Sequence, residues 1–91
     1  MEAKIYYEDR RIENTVPANE TDFSLEELQA LVQGNIQIIP LGEKLLVCNE
    51  EGKFNGKCKV NFFATIEWAK VYGPTEVIVG NVIICDPELI K

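Results

Sequence analysis

The chain has 91 residues and a net charge of −6, from 15 acidic and 9 basic side chains. A length of this order suits a single domain over residues 1–91, with a core built from one sheet and one or two helices. The acidic balance argues against direct binding to nucleic acid, because proteins that hold a phosphate backbone carry a basic face. An apolar content of 46% indicates a folded domain and argues against disorder.

The first part of the chain predicts two strands followed by a helix. Alternating apolar side chains predict a strand over residues 1–7, and a second, short strand is expected over residues 12–16. Ser24 with Glu27 three positions later forms a capping box, which predicts the start of a helix. We expect Gly34 to supply the left-handed residue that ends this helix.

A hairpin is predicted next. Residues 35–41 and 44–49 carry half-buried apolar patterns and are joined by Gly42-Glu43, which predicts two antiparallel strands. Pro40 has no backbone N–H to donate, so we expect it at the edge of the sheet or near the end of its strand. In the turn-rich stretch that follows, Asn55-Gly56 predicts a second tight turn.

A second helix and a central strand complete the predicted elements. Asn61 is expected to cap a helix that runs to about residue 72, where Gly73-Pro74 stops it. Residues 77–85 are nearly continuous in β-branched side chains, which predicts a central strand covered on both faces, with a bulge or close backbone approach at Gly80. The predicted fold class is α+β: a small mixed or antiparallel sheet packed against two helices, as a single layer of helix on sheet.

The second helix is apolar over more of its circumference than a lone surface helix needs. Apolar side chains point in several directions from it: Phe62, Phe63, Ile66, Trp68, Ala69 and Val71. A helix that is apolar on several sides is usually covered on several sides, and small domains often gain stability by self-association. The sequence therefore predicts a subunit interface on this helix and a homo-oligomer.

The residues that support enzymatic and metal chemistry are sparse. There is no histidine, which excludes Ser-His-Asp and Cys-His nucleophilic catalysis and removes the commonest metal ligand. Cys48, Cys58 and Cys85 show no C-x-x-C spacing and cannot pair completely. We therefore expect no enzyme, no metal and no cofactor, with reduced thiols in a cytoplasmic protein. The longest apolar stretch, residues 77–85, is too short to span a membrane.

A polar cluster between the predicted hairpin and the second helix is the best candidate for a ligand site. It includes Asn49, Glu50, Lys53 and Asn61, and Thr65 follows one turn into the helix. A helix N-terminus offers free amides and a partial positive charge, which suit an anion such as a nucleotide phosphate. We expect Lys53, Asn61 and Thr65 to carry phosphate or base contacts. Alternatively, the same residues form a solvated loop with ordinary caps.

Four stretches of the chain resemble a family of short domains of unknown function that is frequent in bacteriophages and conjugative elements. They are residues 28–41 (LQALVQGNIQIIPL), residues 47–53 (VCNEEGK), Asn61 with Ala64-Thr65, and residues 78–84 (IVGNVII). The resemblance implies a mobile-element accessory protein and no established activity. Small acidic proteins encoded by mobile elements often counter host defence. By analogy, the resemblance implies a counter-defence role for this protein.

Three functions are compatible with these observations. The first is a non-enzymatic homo-oligomer that holds a small nucleotide-like signal, such as a cyclic nucleotide or an ADP-ribose derivative, between its subunits. The second is an acidic inhibitor that docks on a host defence protein through its acidic residues and an edge at Tyr6-Tyr7. The third is a structural or regulatory domain without a ligand. We rank the first ahead of the second.

Overall fold

A computed structural model describes residues 2–53, 56 and 58–90. In chain order the elements are β1 (Ala3–Tyr6), β2 (Ile12–Asn14), α1 (Leu25–Val32), β3 (Ile36–Leu41), β4 (Lys44–Asn49), α2 (Phe62–Tyr72) and β5 (Val82–Cys85), followed by a 3-10 turn at Pro87–Leu89. The strands form one sheet in the order β2-β1-β5-β4-β3, and neighbouring strands are antiparallel. Within this described part, no helix is long and apolar enough to cross a membrane.

The central strand β5 explains why the sheet carries a helix on each face. Successive side chains of a strand point to opposite faces, and all four side chains of β5 are buried. Ile83 packs in one apolar cluster with Leu28 of α1, whereas Ile84 packs in a second cluster with Ala64 of α2. The predicted α+β class, with a sheet and two helices, is confirmed. The expected single layer of helices matches only roughly, because α1 and α2 pack on opposite faces.

Local sequence determines both ends of α1. The Ser24 hydroxyl accepts a hydrogen bond from the Glu27 N–H at 3.1 Å, and the Glu27 carboxylate accepts one from the Ser24 N–H at 2.9 Å, so the predicted capping box is confirmed. The predicted helix end was wrong, because Gln33, at φ 63°, is the left-handed residue. Gly34 is needed instead for close approach, since a Cβ there would lie 2.7 Å from Asn49 Nδ2.

The β3–β4 hairpin forms as predicted, with β3 at the edge of the sheet. Pro40 lies in this edge strand, where its missing N–H deprives no neighbouring strand of a partner. The hydroxyl of Tyr72, at the end of α2, donates to the carbonyl oxygen of Pro40. This contact covers part of an edge that could otherwise pair with another chain. The predicted turn at Asn55-Gly56 lies partly outside the described residues.

The last strand is shorter than predicted. Only its second half is regular, because Gly80 interrupts it with a φ of 77°. Before the interruption, Val79 forms an isolated antiparallel bridge with Val60. A Cβ at Gly80 would lie 3.1 Å from Cys58 Sγ, so the predicted close approach is confirmed. The regular part, β5, is central and buried on both faces as predicted.

An ion pair ties the start of the chain to the end of β5. Lys44 Nζ lies 2.6 Å from Asp86 Oδ1, and Asp86 Oδ2 accepts a hydrogen bond from the Glu2 N–H at 2.6 Å. The Lys44 ammonium group, followed by the Glu2 N–H, holds the pKa of Asp86 below its ordinary value. The carboxylate therefore links β4 to both the first and the last described segments of the chain.

We expect Asp86→Asn to lower the free energy of unfolding at neutral pH and to have little effect in acid. A carboxylate whose pKa is lowered by folding stabilises the fold above its unfolded pKa of about 3.9. That contribution is lost as the pH falls through the pKa that Asp86 has in the folded protein, because Asp86 is then protonated in both the folded and the unfolded protein. Urea unfolding of wild type and variant, from neutral pH to about pH 2, measures the difference. A difference that does not change with pH would contradict this role of the ion pair.

Candidate functional site

A cavity of about 320 Å³ opens on the α2 side of the β3–β4 hairpin, beside the loop that follows β4. Its apolar lining consists of Ile39, Cys48, Trp68, Ile78 and Val79. Its polar lining consists of Gln37, Asn49, Glu50, Lys53 and Glu76. A mostly apolar hollow with a few convergent polar groups is the usual form of a small-molecule site.

The strand register and the position of α2 produce this cavity. Gln37 and Ile39 are two residues apart in β3 and therefore share a face, and Cys48 of β4 lies opposite Gln37 in the register. Trp68 forms the α2 side of the cavity. Its indole N–H donates to Thr75 Oγ1 at 3.1 Å, and its ring packs on Tyr72 with a centroid distance of 4.4 Å. The aromatic wall is thus held from two directions.

Lys53 and Glu76 form an ion pair in the lining of the cavity. Lys53 belongs to the loop after β4 and Glu76 to the segment between α2 and β5, so the pair joins two separate parts of the chain. Both side chains remain partly in solvent, with 46% and 41% of their surface exposed. Lys53 is the one cationic side chain among the described residues that line the cavity, and Glu50 and Glu76 oppose its charge.

A second cavity, of about 710 Å³, adjoins the first at this ion pair. Lys53, Glu76 and Val79 line both cavities. The second cavity runs along α2 and is broader and more open to solvent. Its further apolar lining consists of Cys58, Ile66, Ala69, Pro74 and Val77. An exposed ion pair therefore stands between two neighbouring and mainly apolar hollows.

Asn61, which the sequence places in the ligand site, lies inside the fold. Its side chain is fully buried. Its Nδ2 donates to the carbonyl oxygens of Tyr6 and Gly80, both at 2.7 Å, and its Oδ1 accepts from the Ala64 N–H at 3.1 Å. It caps α2 as predicted. Because the amide is buried and engaged within the chain, we leave Asn61 out of the candidate site.

Asn49 lines the first cavity, but its polar atoms also have structural partners. Its Nδ2 donates to the carbonyl oxygens of Val32 and Gln33, at 3.1 and 3.2 Å, and so caps the end of α1. Its Oδ1 accepts from the Glu51 N–H at 2.8 Å. Asn49 therefore positions the loop that carries the cavity's charged side chains.

Thr65 lines the second cavity and is likewise engaged within the fold. Its hydroxyl donates to the Asn61 carbonyl at 2.8 Å and accepts from the Ile78 N–H at 3.0 Å. Of the five predicted site residues, Glu50 and Lys53 are the ones whose side chains are exposed at the first cavity. The structure thus brings Asn49, Glu50 and Lys53 together, places Thr65 in the adjoining cavity, and buries Asn61.

Among the lining residues absent from the predicted site, three are polar or aromatic: Gln37, Trp68 and Glu76. Gln37 is an ordinary polar residue of an alternating strand, and Glu76 belongs to a segment that carries no motif. Trp68 is the single tryptophan of the chain and stood out as one apolar residue of the second helix. Their convergence depends on contacts between distant segments, so local pattern contains no signal for it.

The Tyr6-Tyr7 segment does not form the exposed edge that was proposed for docking. β1 lies between β2 and β5 in the sheet. Tyr6 is 9% exposed and packs in the α2-side cluster. The guanidinium group of Arg11 lies 4.3 Å from the centroid of the Tyr7 ring and covers part of it. The predicted edge at Tyr6-Tyr7 was therefore wrong.

The apolar excess predicted for the second helix lies at the surface. Large apolar side chains in and around α2 remain exposed: Val60, Phe62, Ile66, Val71, Tyr72 and Val77. Ala64 is the fully buried side chain of the helix. Of this exposed set, Ile66 and Val77 also line the second cavity.

The buried thiols behave as apolar groups. Burial raises the pKa of Cys85 to about 11, and it also raises the pKa of Cys48, where the Lys53 charge opposes the shift. Both thiols are therefore protonated at neutral pH, so Cys48 contributes a weakly polar wall to the cavity. Across the described residues, no three side chains of the metal-binding types come together.

The fold and its cavities define a small α+β domain with a two-part cleft beside an exposed apolar helix. The chain belongs to the DUF3846 family, a domain of unknown function whose profile matches residues 10–89. Comparison with the curated proteins and with the solved structures finds no significant match to either. The predicted membership of a family of unknown function is thus confirmed, while the association with mobile elements stays a prediction.

Proposed function

We propose that this domain is a non-enzymatic protein that binds a small nucleotide-like ligand in the two-part cleft, as a homo-oligomer. One observation carries the proposal: in the first cavity an apolar wall that includes Trp68 accompanies a single cation, Lys53. A planar ring packs well on aromatic and aliphatic side chains, and a phosphate forms charge-assisted hydrogen bonds with an ammonium group. A volume of about 320 Å³ suits one nucleoside-sized group.

The charges around the cleft restrict the ligand. Glu50 and Glu76 lie beside Lys53, and the whole chain has a net charge of −6. This field disfavours a ligand with many phosphates. A cyclic nucleotide or an ADP-ribose derivative carries few negative charges and fits this restriction.

The exposed face of α2 supports the oligomeric part of the proposal. Phe62, Ile66 and Val77 expose 46%, 39% and 47% of their surfaces. Burial of such side chains between two copies is favourable, at about 25 cal/mol for each Å² removed from water. A second copy packed on this face would also cover the second cavity, so that the ligand is held between subunits. In the mobile-element context implied by the resemblance, such an oligomer would sequester a host signal in the cytoplasm.

Native mass spectrometry of the purified protein, alone and with a pool of cyclic oligonucleotides and ADP-ribose derivatives, tests the proposal. We expect a discrete oligomer that gains the mass of one class of ligand. Lys53→Ala should lose the ligand and keep the oligomer, whereas Ile66→Asp should lose the oligomer, because it buries a charge in the interface. Arg11→Ala, which removes a cation outside both cavities and away from α2, is the matched control and should change neither. A wild-type protein that gains no mass from any member of the pool would overturn the proposal.

A second candidate function is inhibition of a host protein. The same exposed apolar face supports it, because apolar patches on small domains are also surfaces for other proteins. A bare monomer in the native mass spectrum, with a stoichiometric partner whose capture is lost in Ile66→Asp, would favour this function over ligand binding.

A further inference from the structure

We infer that the Lys53–Glu76 ion pair divides one bipartite ligand site and opens when an anionic group of the ligand replaces the Glu76 carboxylate. The inference rests on the proposed function and, within its nucleotide-like ligands, selects one with a single phosphodiester over ADP-ribose derivatives, which carry a pyrophosphate. The ligand assigned to this site has one anionic group between two ring systems, as in a dinucleoside monophosphate.

The lining of the cavities supports a single site in two parts. Lys53, Glu76 and Val79 are common to both, and the remaining lining is particular to each. The first part contains the Trp68 wall, and the second contains Ile66 and the other apolar side chains along α2. Each part, at about 320 and 710 Å³, has room for one ring system. Two rings placed in this way hold the group that joins them beside the ion pair.

Lys53 has an anionic partner both before and after the ligand binds. Before binding, the ammonium group is paired with Glu76; after binding, it is paired with the anionic group of the ligand. Glu76 is already 41% exposed, so the released carboxylate can return to water without a large rearrangement. The ion pair and an ammonium–phosphate contact are both charge-assisted, and an exposed ion pair contributes little to stability. Its loss therefore costs little, and the exchange removes the barrier between the two parts.

The charge of the cleft restricts the ligand to one anionic group. Lys53 is the one cation among the described residues lining either cavity. A second phosphate in the first cavity would face Glu50, and one near the ion pair would face the displaced Glu76. A second phosphate would be repelled by these carboxylates, because like charges in one cleft repel each other. A molecule with a single phosphodiester therefore fits better than one with a pyrophosphate.

Titration with a dinucleoside monophosphate, followed by the fluorescence of Trp68, tests the inference. Trp68 is the one tryptophan of the chain and lies in the cavity wall. The matched probe is the corresponding uncharged nucleoside. The variants are Glu76→Gln, which frees Lys53, and Lys53→Gln, which removes the cation. The control is Glu67→Gln, which breaks a different exposed ion pair, with Lys70 at 2.7 Å, outside both cavities.

The expected effects have opposite signs in the two variants. Glu76→Gln should bind the dinucleoside monophosphate about two- to fivefold more tightly, since the competing carboxylate is gone. It should leave the affinity for the nucleoside unchanged. Lys53→Gln should weaken binding of the charged probe by about tenfold or more, because a charge-assisted hydrogen bond is lost. Glu67→Gln should behave as the wild type.

Two results would overturn the inference. If the charged probe binds but Glu76→Gln leaves its affinity unchanged or lowers it, the ion pair is not a competitor of the ligand, and the proposed function stands without it. If neither probe changes the fluorescence or the native mass of any variant, the assigned ligand class is wrong. The broader ligand pool of the mass-spectrometric experiment then tests the proposed function separately.

Discussion

Replacement of Asn61 with alanine is expected to lower the free energy of unfolding by about 3 kcal/mol or more. The buried amide satisfies the carbonyl oxygens of Tyr6 and Gly80 and the N–H of Ala64. Alanine leaves all three groups without this partner inside the fold, and each unsatisfied buried group costs about 1–3 kcal/mol. The total stability expected for a domain of this length is about 5–14 kcal/mol. Urea unfolding followed by circular dichroism measures the loss.

Asn61→Asp separates the two structural roles of this side chain. Aspartate is as good a helix cap as asparagine, so a residue that acted as a cap alone would tolerate the change. In this fold an aspartate oxygen would replace Nδ2 and face two carbonyl oxygens, so we expect a destabilisation comparable to that of alanine. Asn14→Ala, on the exposed strand β2, is the control and should stay within about 0.5 kcal/mol of the wild type. Variants of Asn61 that keep wild-type stability and lose ligand binding would restore its predicted role in the site.

Elements specified by neighbouring residues were predictable from the sequence. The capping box of Ser24 and Glu27 and the cap at Asn61 satisfy backbone groups within three residues of their own position, so a pattern of side-chain types is sufficient to identify them. The β3–β4 hairpin depends on short-range alternation and one turn, and Pro40 restricted its strand to an edge. These features do not depend on the position of the rest of the chain.

The arrangement of the layers and the site depend on distant contacts. The continuous apolar run of β5 predicts that both of its faces are covered but does not show which element covers each face, because that depends on the path of the chain around the sheet. The polar side chains of Asn49 and Thr65 are indistinguishable in sequence from ligand contacts, although both bind backbone groups of other segments. Prediction of a polar cluster therefore located one side of the first cavity. Trp68 and Glu76 complete the cavity, but nothing in the sequence around either residue indicates that it lines a ligand site.

Gly80→Ala is expected to lower the free energy of unfolding by about 2–5 kcal/mol, as the sum of two separable effects. The φ of 77° lies in the left-handed region, where a side chain costs about 1–2 kcal/mol. The new Cβ would also lie 3.1 Å from Cys58 Sγ, and overpacking of a buried position costs about 1–3 kcal/mol. The backbone has little freedom to move away, because the Gly80 N–H donates to Lys59 and its carbonyl accepts from Asn61.

A double-mutant cycle with Cys58→Ala separates the two effects, because it removes the sulfur and leaves the backbone unchanged. In that background we expect Gly80→Ala to cost only the conformational part, about 1–2 kcal/mol. Gly42→Ala is the matched control: its φ is 63°, and its nearest neighbour, Val71, would be at an ordinary 3.6 Å. It should show the conformational cost alone in both backgrounds. An equal cost for Gly80→Ala with and without the Cys58 sulfur would mean that backbone conformation, and not the close approach, requires glycine there.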